Sequence, residues 1–205
     1  MREESTKRSR GIAGSGGFSI LELVIVCAVA LFLAAIATPA FLRISYNIRL
    51  KSAANDVSGV MQRARILAAK NNATYGIAYT AINGAEVACV DTNLNSTCGT
   101  GEPLVVFGPT ITPAAGAPTG SGGQPSAYIL AGDNSTTNYD NATTLAFSPR
   151  GLPCAYVSAT CSTPAAGYFV YYLNDARPGY TAWAAVVVTR SGRTKTLIWN
   201  GVSWD

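Results

Sequence analysis

The sequence predicts an α+β protein, with one long N-terminal helix packed on an antiparallel β-sheet domain. Three observations carry that prediction. An apolar run, Leu23–Leu42, passes without a break into an amphipathic helical repeat that lasts to Lys70. The patterned segments after it are short and rich in Val, Ile, Tyr, Phe, Trp and Thr, as strands are. Turn dipeptides, Asn83-Gly84 and Ser191-Gly192, join neighbouring segments of this kind.

In Leu23–Leu42 only Thr38 and Pro39 fall outside the apolar set. At about 1.5 Å per residue these residues span roughly 30 Å, the thickness of a bilayer's hydrocarbon core. Residues 1–17 hold Arg2, Lys7, Arg8 and Arg10 against Glu3 and Glu4, and a basic flank of this kind is expected on the cytoplasmic side. Residues 43–205 are then expected outside. Beyond the run, Ile44, Ile48, Leu50, Ala54, Val57, Met61, Ala64 and Leu67 recur at helical spacing, with charged residues between them. They predict one buried stripe over 43–70. Asn71-Asn72 is expected to end the helix, which starts near Ser19.

From residue 71 to 205 the chain reads as a β-rich domain. Strands are predicted over Thr74–Ala81, Ala85–Asp91, Leu104–Gly108, Ala127–Ala131, Thr143–Ser148, Tyr168–Leu173, Trp183–Arg190 and Thr194–Trp199. Residues 109–125 are rich in Gly, Pro, Ser and Thr without periodicity and predict a loop. Trp183, Trp199 and Trp204 are expected in the core and at its rim.

Composition narrows the function. The chain of 205 residues has a net charge of +4, 13% charged residues and no histidine. Ordinary globular chains carry roughly 25% charged residues. Without imidazole, His-based nucleophilic catalysis and His-type zinc sites are excluded. No enzyme and no cofactor is expected. Asp133-Asn134 and Asp140-Asn141 are the oxygen-rich loops in which calcium would be sought, but no twelve-residue EF pattern is present.

Five cysteines fall into a 1 + 2 + 2 pattern. Cys27 lies in the apolar run and reads as a small apolar residue. In an exported domain, Cys89 with Cys98 and Cys154 with Cys161 predict two local disulfides. Four unpaired buried thiols are the alternative. Closing loops of this length stabilises by about 2.5–3 kcal/mol each on the chain-entropy account.

The most informative segment is Gly16-Gly17-Phe18-Ser19-Ile20-Leu21-Glu22. A carboxylate heading a bilayer-length apolar run is unfavourable by roughly 2.5–3.5 kcal/mol unless it finds a partner. Cleavage between Gly17 and Phe18 would create that partner, a positive α-amino group at Phe18, on a neighbouring subunit. Glu22 would also sit in the first helical turn, where negative charge is favoured. A basic leader ending in Gly, then Phe, then Glu at the fifth mature position closely resembles the type IV prepilin signature. Pro39 falls where many pilins place a helix-loosening proline. The resemblance implies removal of residues 1–17 by prepilin peptidase and N-methylation of Phe18. It also implies a filament-core helix over 18–42 that packs with other pilins or pseudopilins on an inner-membrane assembly platform. The competing reading, a secretory signal cut after Ala35-Ile36-Ala37, would strand the amphipathic helix that continues in register. A membrane-anchored periplasmic protein of another role leaves Glu22 unexplained.

Two later stretches resemble the GspH/FimT-type minor pilin and pseudopilin family: Thr144–Gly151, which ends in Phe-x-Pro-x-Gly, and Val186–Lys195. That family implies a structural subunit of a type II secretion pseudopilus or a type IV pilus. FimT-like members bind DNA through a C-terminal Gly-Arg-x-Arg motif, matched here by Gly192-Arg193-Thr194-Lys195 with Lys in the last place. The resemblance therefore offers DNA as a further partner, with Arg190, Arg193 and Lys195 as candidate contacts. Solvated charges flanking a simple turn are the alternative.

Overall fold

The computed structural model describes residues 19–114, 116, 118, 138–140, 144–162, 168–177 and 180–205. Helix α1 runs Ile20–Asn71 as one element, and eleven strands follow: β1 Tyr75–Ile82, β2 Ala85–Asp91, β3 Leu104–Val106, β4 Ile111–Ala114, β5 Asn138–Asp140, β6 Leu145–Phe147, β7 Pro153–Val157, β8 Thr160–Ser162, β9 Tyr168–Arg177, β10 Tyr180–Thr189 and β11 Thr194–Ile198. The layout is α+β. The chain divides into two compact units, residues 1–43 and 44–205.

In the first unit, Glu22 lies in the first turn of α1 and Ser19 immediately precedes it. The side chains from Ile20 to Thr38 are exposed, as are Phe41 and Leu42. This part of α1 is long and apolar enough to cross a membrane. The Thr38 hydroxyl donates back to the Ala34 carbonyl at 2.7 Å. The helix continues through Pro39, although proline has no N–H to give the turn before it.

In the second unit, α1 buries Leu50, Ala53, Ala54, Val57, Val60, Met61, Ala64 and Ala68. This three-and-four spacing makes one stripe, and its four alanines leave room for a close approach of the backbone. Ile44 and Ile48, expected in the stripe, are exposed at 58% and 63%. Successive residues turn by about 100°, so position 48 stands on nearly the opposite side of the helix from position 50. The stripe begins instead at half-buried Tyr46. The helix ends at a left-handed Asn72 (φ +49°), with the Ala73 N–H donating to the Ala68 carbonyl at 3.1 Å. That bond closes a Schellman cap.

The stripe faces two sheets. The first has the order β3-β2-β1-β6-β7-β8, and the second β11-β10-β9-β4 with β5 also on β9. The pairings are antiparallel except β5 with β9, which is parallel. β1 and β2 meet at a two-residue loop, Asn83 (φ +51°) and Gly84 (φ +79°), the left-handed pair that the right-handed twist of a hairpin requires. Phe169, Tyr171, Leu173, Ala184, Val186 and Val188 face the helix from the second sheet. Ile77, Ala88, Val90, Leu145 and Phe147 do so from the first. Tyr79 of β1 and Tyr171 of β9 stack across the sheets with centroids 3.8 Å apart. On its other face the second sheet buries Val170, Tyr172, Ala185, Val187 and Leu197 with Trp204. The last residues fold back for this purpose, as the Ile198 and Asp205 backbones exchange two hydrogen bonds of 2.9 Å.

Several expected boundaries shift. β4 lies inside the segment expected as loop 109–125: Ile111 and Ala114 are buried, and Pro113 is tolerated because β4 pairs with β9 on one side only. β5, β7 and β8 were not anticipated, and the strand expected at Ala127–Ala131 lies outside the described residues. β7 and β8 form a short hairpin closed by the Cys154–Cys161 disulfide.

The Cys89–Cys98 disulfide closes a loop organised by two buried carboxylates. Asp91 accepts from the Asn95 and Ser96 N–H groups at 3.2 and 2.7 Å. Glu102 accepts from the Thr92 N–H at 2.8 Å, the Thr92 hydroxyl at 2.9 Å and the Gly99 N–H at 2.7 Å. Burial opposes ionisation of Glu102, but the hydrogen bonds from Gly99, Thr92 and Asn93 outweigh it and hold the carboxyl below its ordinary value. A depressed carboxyl stabilises the fold above its unfolded value, and that contribution is lost as pH falls through the folded value. The Thr92 and Gly99 amides should therefore lose protection from hydrogen exchange below about pH 4, after correction for intrinsic rates. Glu102→Gln should abolish that dependence and lower protection at neutral pH; an unchanged profile in the variant would contradict the role given to this carboxylate.

Candidate functional site

Two regions hold the residues singled out by sequence. The first is the start of α1. Gly17 and Phe18 lie outside the described residues, as does the side chain of Pro39. Glu22 is exposed in the first helical turn, among Ile20, Leu21, Leu23, Val24 and Ile25, all more than half exposed. A carboxylate in such a setting is tolerated in water and unfavourable in lipid.

The second region is a cleft of about 630 Å³ between α1 and two turns, lined by Arg65, Arg150, Gly151, Gly192, Arg193 and Thr194 among others. The turns share one construction. In the β6–β7 turn the Gly151 N–H donates to the Ser148 carbonyl at 2.8 Å, and the Ser148 N–H to the Leu152 carbonyl at 2.9 Å. In the β10–β11 turn the Gly192 N–H donates to the Thr189 carbonyl at 2.8 Å, and the Thr189 N–H to the Arg193 carbonyl at 2.9 Å. Each turn is completed by a left-handed glycine, Gly151 at φ +70° and Gly192 at φ +78°. Such a turn exposes the residues at its tip, Arg150 in one case and Arg190 and Ser191 in the other.

Arg65 lies between the two glycines. A Cβ on Gly151 would stand 3.5 Å from Arg65 Cγ, and a Cβ on Gly192 would stand 3.0 Å from Arg65 Cζ. Its Nη1 donates to the Gly192 carbonyl at 3.0 Å. The helix also holds the second turn through Thr194, whose hydroxyl accepts from Gln62 at 3.0 Å and is 3.1 Å from the Ser58 hydroxyl. Three arginines thus contribute to the lining, and among the described residues no carboxylate does.

The structure divides the three cations expected at the C-terminal hairpin. Arg193 lines the cleft, and Arg190 is exposed at the turn's tip outside the lining. Lys195 is exposed on β11. Because Thr194 turns toward the helix, strand alternation puts Lys195 on the opposite face of the sheet. Arg65 and Arg150 went unrecognised in the sequence. Arg65 reads as one of several helix charges, and Arg150 as a turn residue; only the docking of α1 beneath both turns brings them together.

The other polar cluster holds the helix to the second sheet. Fully buried Asp175 pairs with Arg177 at 2.9 Å, Arg177 Nη2 donates to Thr110 Oγ1 at 2.7 Å, and the guanidinium lies 3.9 Å from the centre of the Tyr46 ring. This cluster has a structural role. Among the described residues no group of three His, Cys, Asp or Glu side chains is placed to hold a metal ion. Asp133 and Asn134 lie outside the described residues, as do Asn141 and the side chain of Asp140.

Compared with family models, with curated proteins and with solved structures, the chain matches none.

Gly192 carries two constraints, a left-handed φ and the Arg65 head group close to where a Cβ would stand. Gly192→Ala should cost about 1–3 kcal/mol in chemical denaturation. Gly84→Ala, with a similar φ but open space around it, should cost less. Equal costs would show that Arg65 does not confine Gly192.

Proposed function

We propose that this chain is a structural subunit of a type IV-pilin-like filament, a minor pilin or pseudopilin made as a single-pass inner-membrane precursor. The observation that carries the reading is the junction Gly17-Phe18 followed by Glu22, at the head of a helix apolar and long enough to cross a bilayer. Removal of residues 1–17 discards the basic leader and leaves a charged amine at Phe18, which is then methylated. Residues 43–205 stand in the periplasm, and the subunit joins a secretion pseudopilus or a pilus from there.

Assembly follows from the chemistry of that new terminus. In the bilayer the Glu22 carboxylate lacks water and stays unfavourable until a cation approaches. The Phe18 amine of a preceding subunit supplies one, so both charges gain most when a helix enters the filament beside its neighbour. The apolar residues from Leu23 to Leu42 then pack against equivalent helices, where tight van der Waals contact is the main gain within lipid. The exposed Ile44 and Ile48 extend the apolar surface available for such packing. Catalysis has no part in this reading; the action is ordered packing.

Expressed with its peptidase and assembly machinery, the protein should yield a mature N-terminus at Phe18 carrying one methyl group, read by mass spectrometry. Glu22→Ala should still lose its leader, but its recovery in sheared filaments should fall about tenfold or more, the factor that about 1.4 kcal/mol represents. Normal incorporation of Glu22→Ala would remove the role given to the carboxylate, and an intact leader in the wild type would remove the whole reading.

A further inference from the structure

We propose that the tryptophan-lined cleft at the end of β10 and β11, away from their connecting turn, binds a neutral oligosaccharide whose pyranose rings stack on Trp183 and Trp199. The inference does not depend on the filament reading. It rests on the juxtaposition of two half-buried indoles with amide and hydroxyl side chains in an uncharged cleft of about 710 Å³.

Strand register builds the platform. β10 and β11 pair as far as Ala184 with Ile198, and one step further the Trp199 N–H donates to the Trp183 carbonyl at 2.9 Å. On the other side of Trp199 the chain folds back and bridges it to Trp204. Residues paired in this way share a face of the sheet, so the three tryptophans form a row. Their burial differs. Trp204 is 1% exposed and belongs to the core, with its ring centre 5.9 Å from that of Tyr172 and 5.4 Å from that of Trp199. Trp183 and Trp199 are half-buried and line the cleft. Packing against Trp204 holds the Trp199 ring, so little side-chain freedom remains to be lost when a ligand docks. The turn beyond it is fixed as well. Asn200 accepts from the Val202 and Ser203 N–H groups at 2.9 and 2.8 Å and donates to Asp205 at 2.8 Å.

The lining decides the class of ligand. Among the described residues no charged side chain lines the cleft, so a phosphate or carboxylate finds no counter-ion there. The indole N–H groups of Trp183 and Trp199 and the exposed Thr181 hydroxyl make no hydrogen bond among the described residues. An apolar peptide side chain would cover these groups without satisfying them, which is unfavourable. A sugar hydroxyl accepts from an indole N–H and can also pair with the Thr181 hydroxyl or the Asn47 amide, which the helix contributes to the same cleft. The indole face is negative and the ring C–H groups of a pyranose are slightly positive, so the sugar ring lies flat on it. Glucose and N-acetylglucosamine in β-linkage carry their substituents equatorially and present C–H groups on both faces, which suits two neighbouring indoles. The cleft volume falls within the range of about 300–1,000 Å³ usual for small-ligand sites.

The test uses the full chain in a polyoxyethylene detergent, which carries no sugar. Triacetylchitotriose and cellotriose are titrated separately, followed by tryptophan fluorescence and saturation-transfer NMR. The wild type should bind at least one of them saturably, with an affinity that added salt leaves unchanged, since no charge is involved. Saturation should reach the ring C–H groups more strongly than the hydroxymethyl groups. Trp183→Ala should weaken binding about tenfold or more, and Trp183→Phe, which keeps an aromatic face, should weaken it less. Thr181→Val should weaken it severalfold. Thr181 is exposed and without partners, so this variant decides the matter if Trp183→Ala does not fold. Tighter binding of triacetylchitotriose would support the site and assign it an N-acetylhexosamine polymer, whereas equal or tighter binding of cellotriose would assign it a glucan. Failure of both sugars to bind saturably would overturn the proposal. So would wild-type affinity in both Trp183→Ala and Thr181→Val. Tighter binding of the uncharged peptide N-acetyl-Phe-Leu-amide than of either sugar would assign the cleft to apolar peptides instead.

Discussion

The burial of one helical stripe against two sheets at once is the constraint from which the rest of the domain follows. Leu50, Val57 and Met61 have no exposed surface, and the alanines between them bring the backbone of α1 close to both sheets. Neither sheet could cover this stripe alone. Phe147 and Val90 reach it from one side, and Phe169, Leu173 and Val186 from the other. The stacked Tyr79 and Tyr171 rings join the two sheets within the same core. Their phenols are pushed above the ordinary range, chiefly by burial, so both stay neutral and serve as packing groups.

That stripe also fixes the cleft. With Ala64 and Ala68 buried, Arg65 beside them runs past Gly151 and Gly192. Either glycine alone reads as a turn residue. Together they are the two walls past which the Arg65 side chain runs, its stem at Gly151 and its head at Gly192. A side chain at either position would meet an unfavourable φ, and at Gly192 it would also crowd the arginine head group. The two turns are therefore coupled through the helix, although they connect strands of different sheets.

The sequence was legible where periodicity is long. The 52-residue helix and the paired strands β1–β2 and β9–β11 have patterns that survive without tertiary knowledge, and Asn83-Gly84 states its own turn geometry. Among the short strands, β3 and β6 were legible because they are apolar throughout, whereas β4, β7 and β8 were not. β4, β7 and β8 have three to five residues each, too few for alternation to rise above composition, and two of them contain proline. They are strands because a neighbouring edge pairs with them. Ile44 and Ile48 misled in the opposite way: both are apolar and four apart, but the stripe they define is not the one the sheets bury. Within the cleft only Arg193 was anticipated, because a hairpin can be read from one chain segment, whereas Arg65 and Arg150 meet it only in three dimensions.

The low charge of the chain takes on a different meaning once these positions are known. Fifteen basic residues are spread over 205, and the opening segment accounts for four of them. In a domain otherwise poor in ions, burial of Asp175 is matched by Arg177 beside it, and buried Asp91 and Glu102 are matched by backbone N–H groups. Among the described residues each buried carboxylate thus has at least one partner, although Asp175 Oδ2 accepts no hydrogen bond. Arg65 is half-buried and Arg150 and Arg193 are exposed, so solvent can screen these cations without an anion beside them.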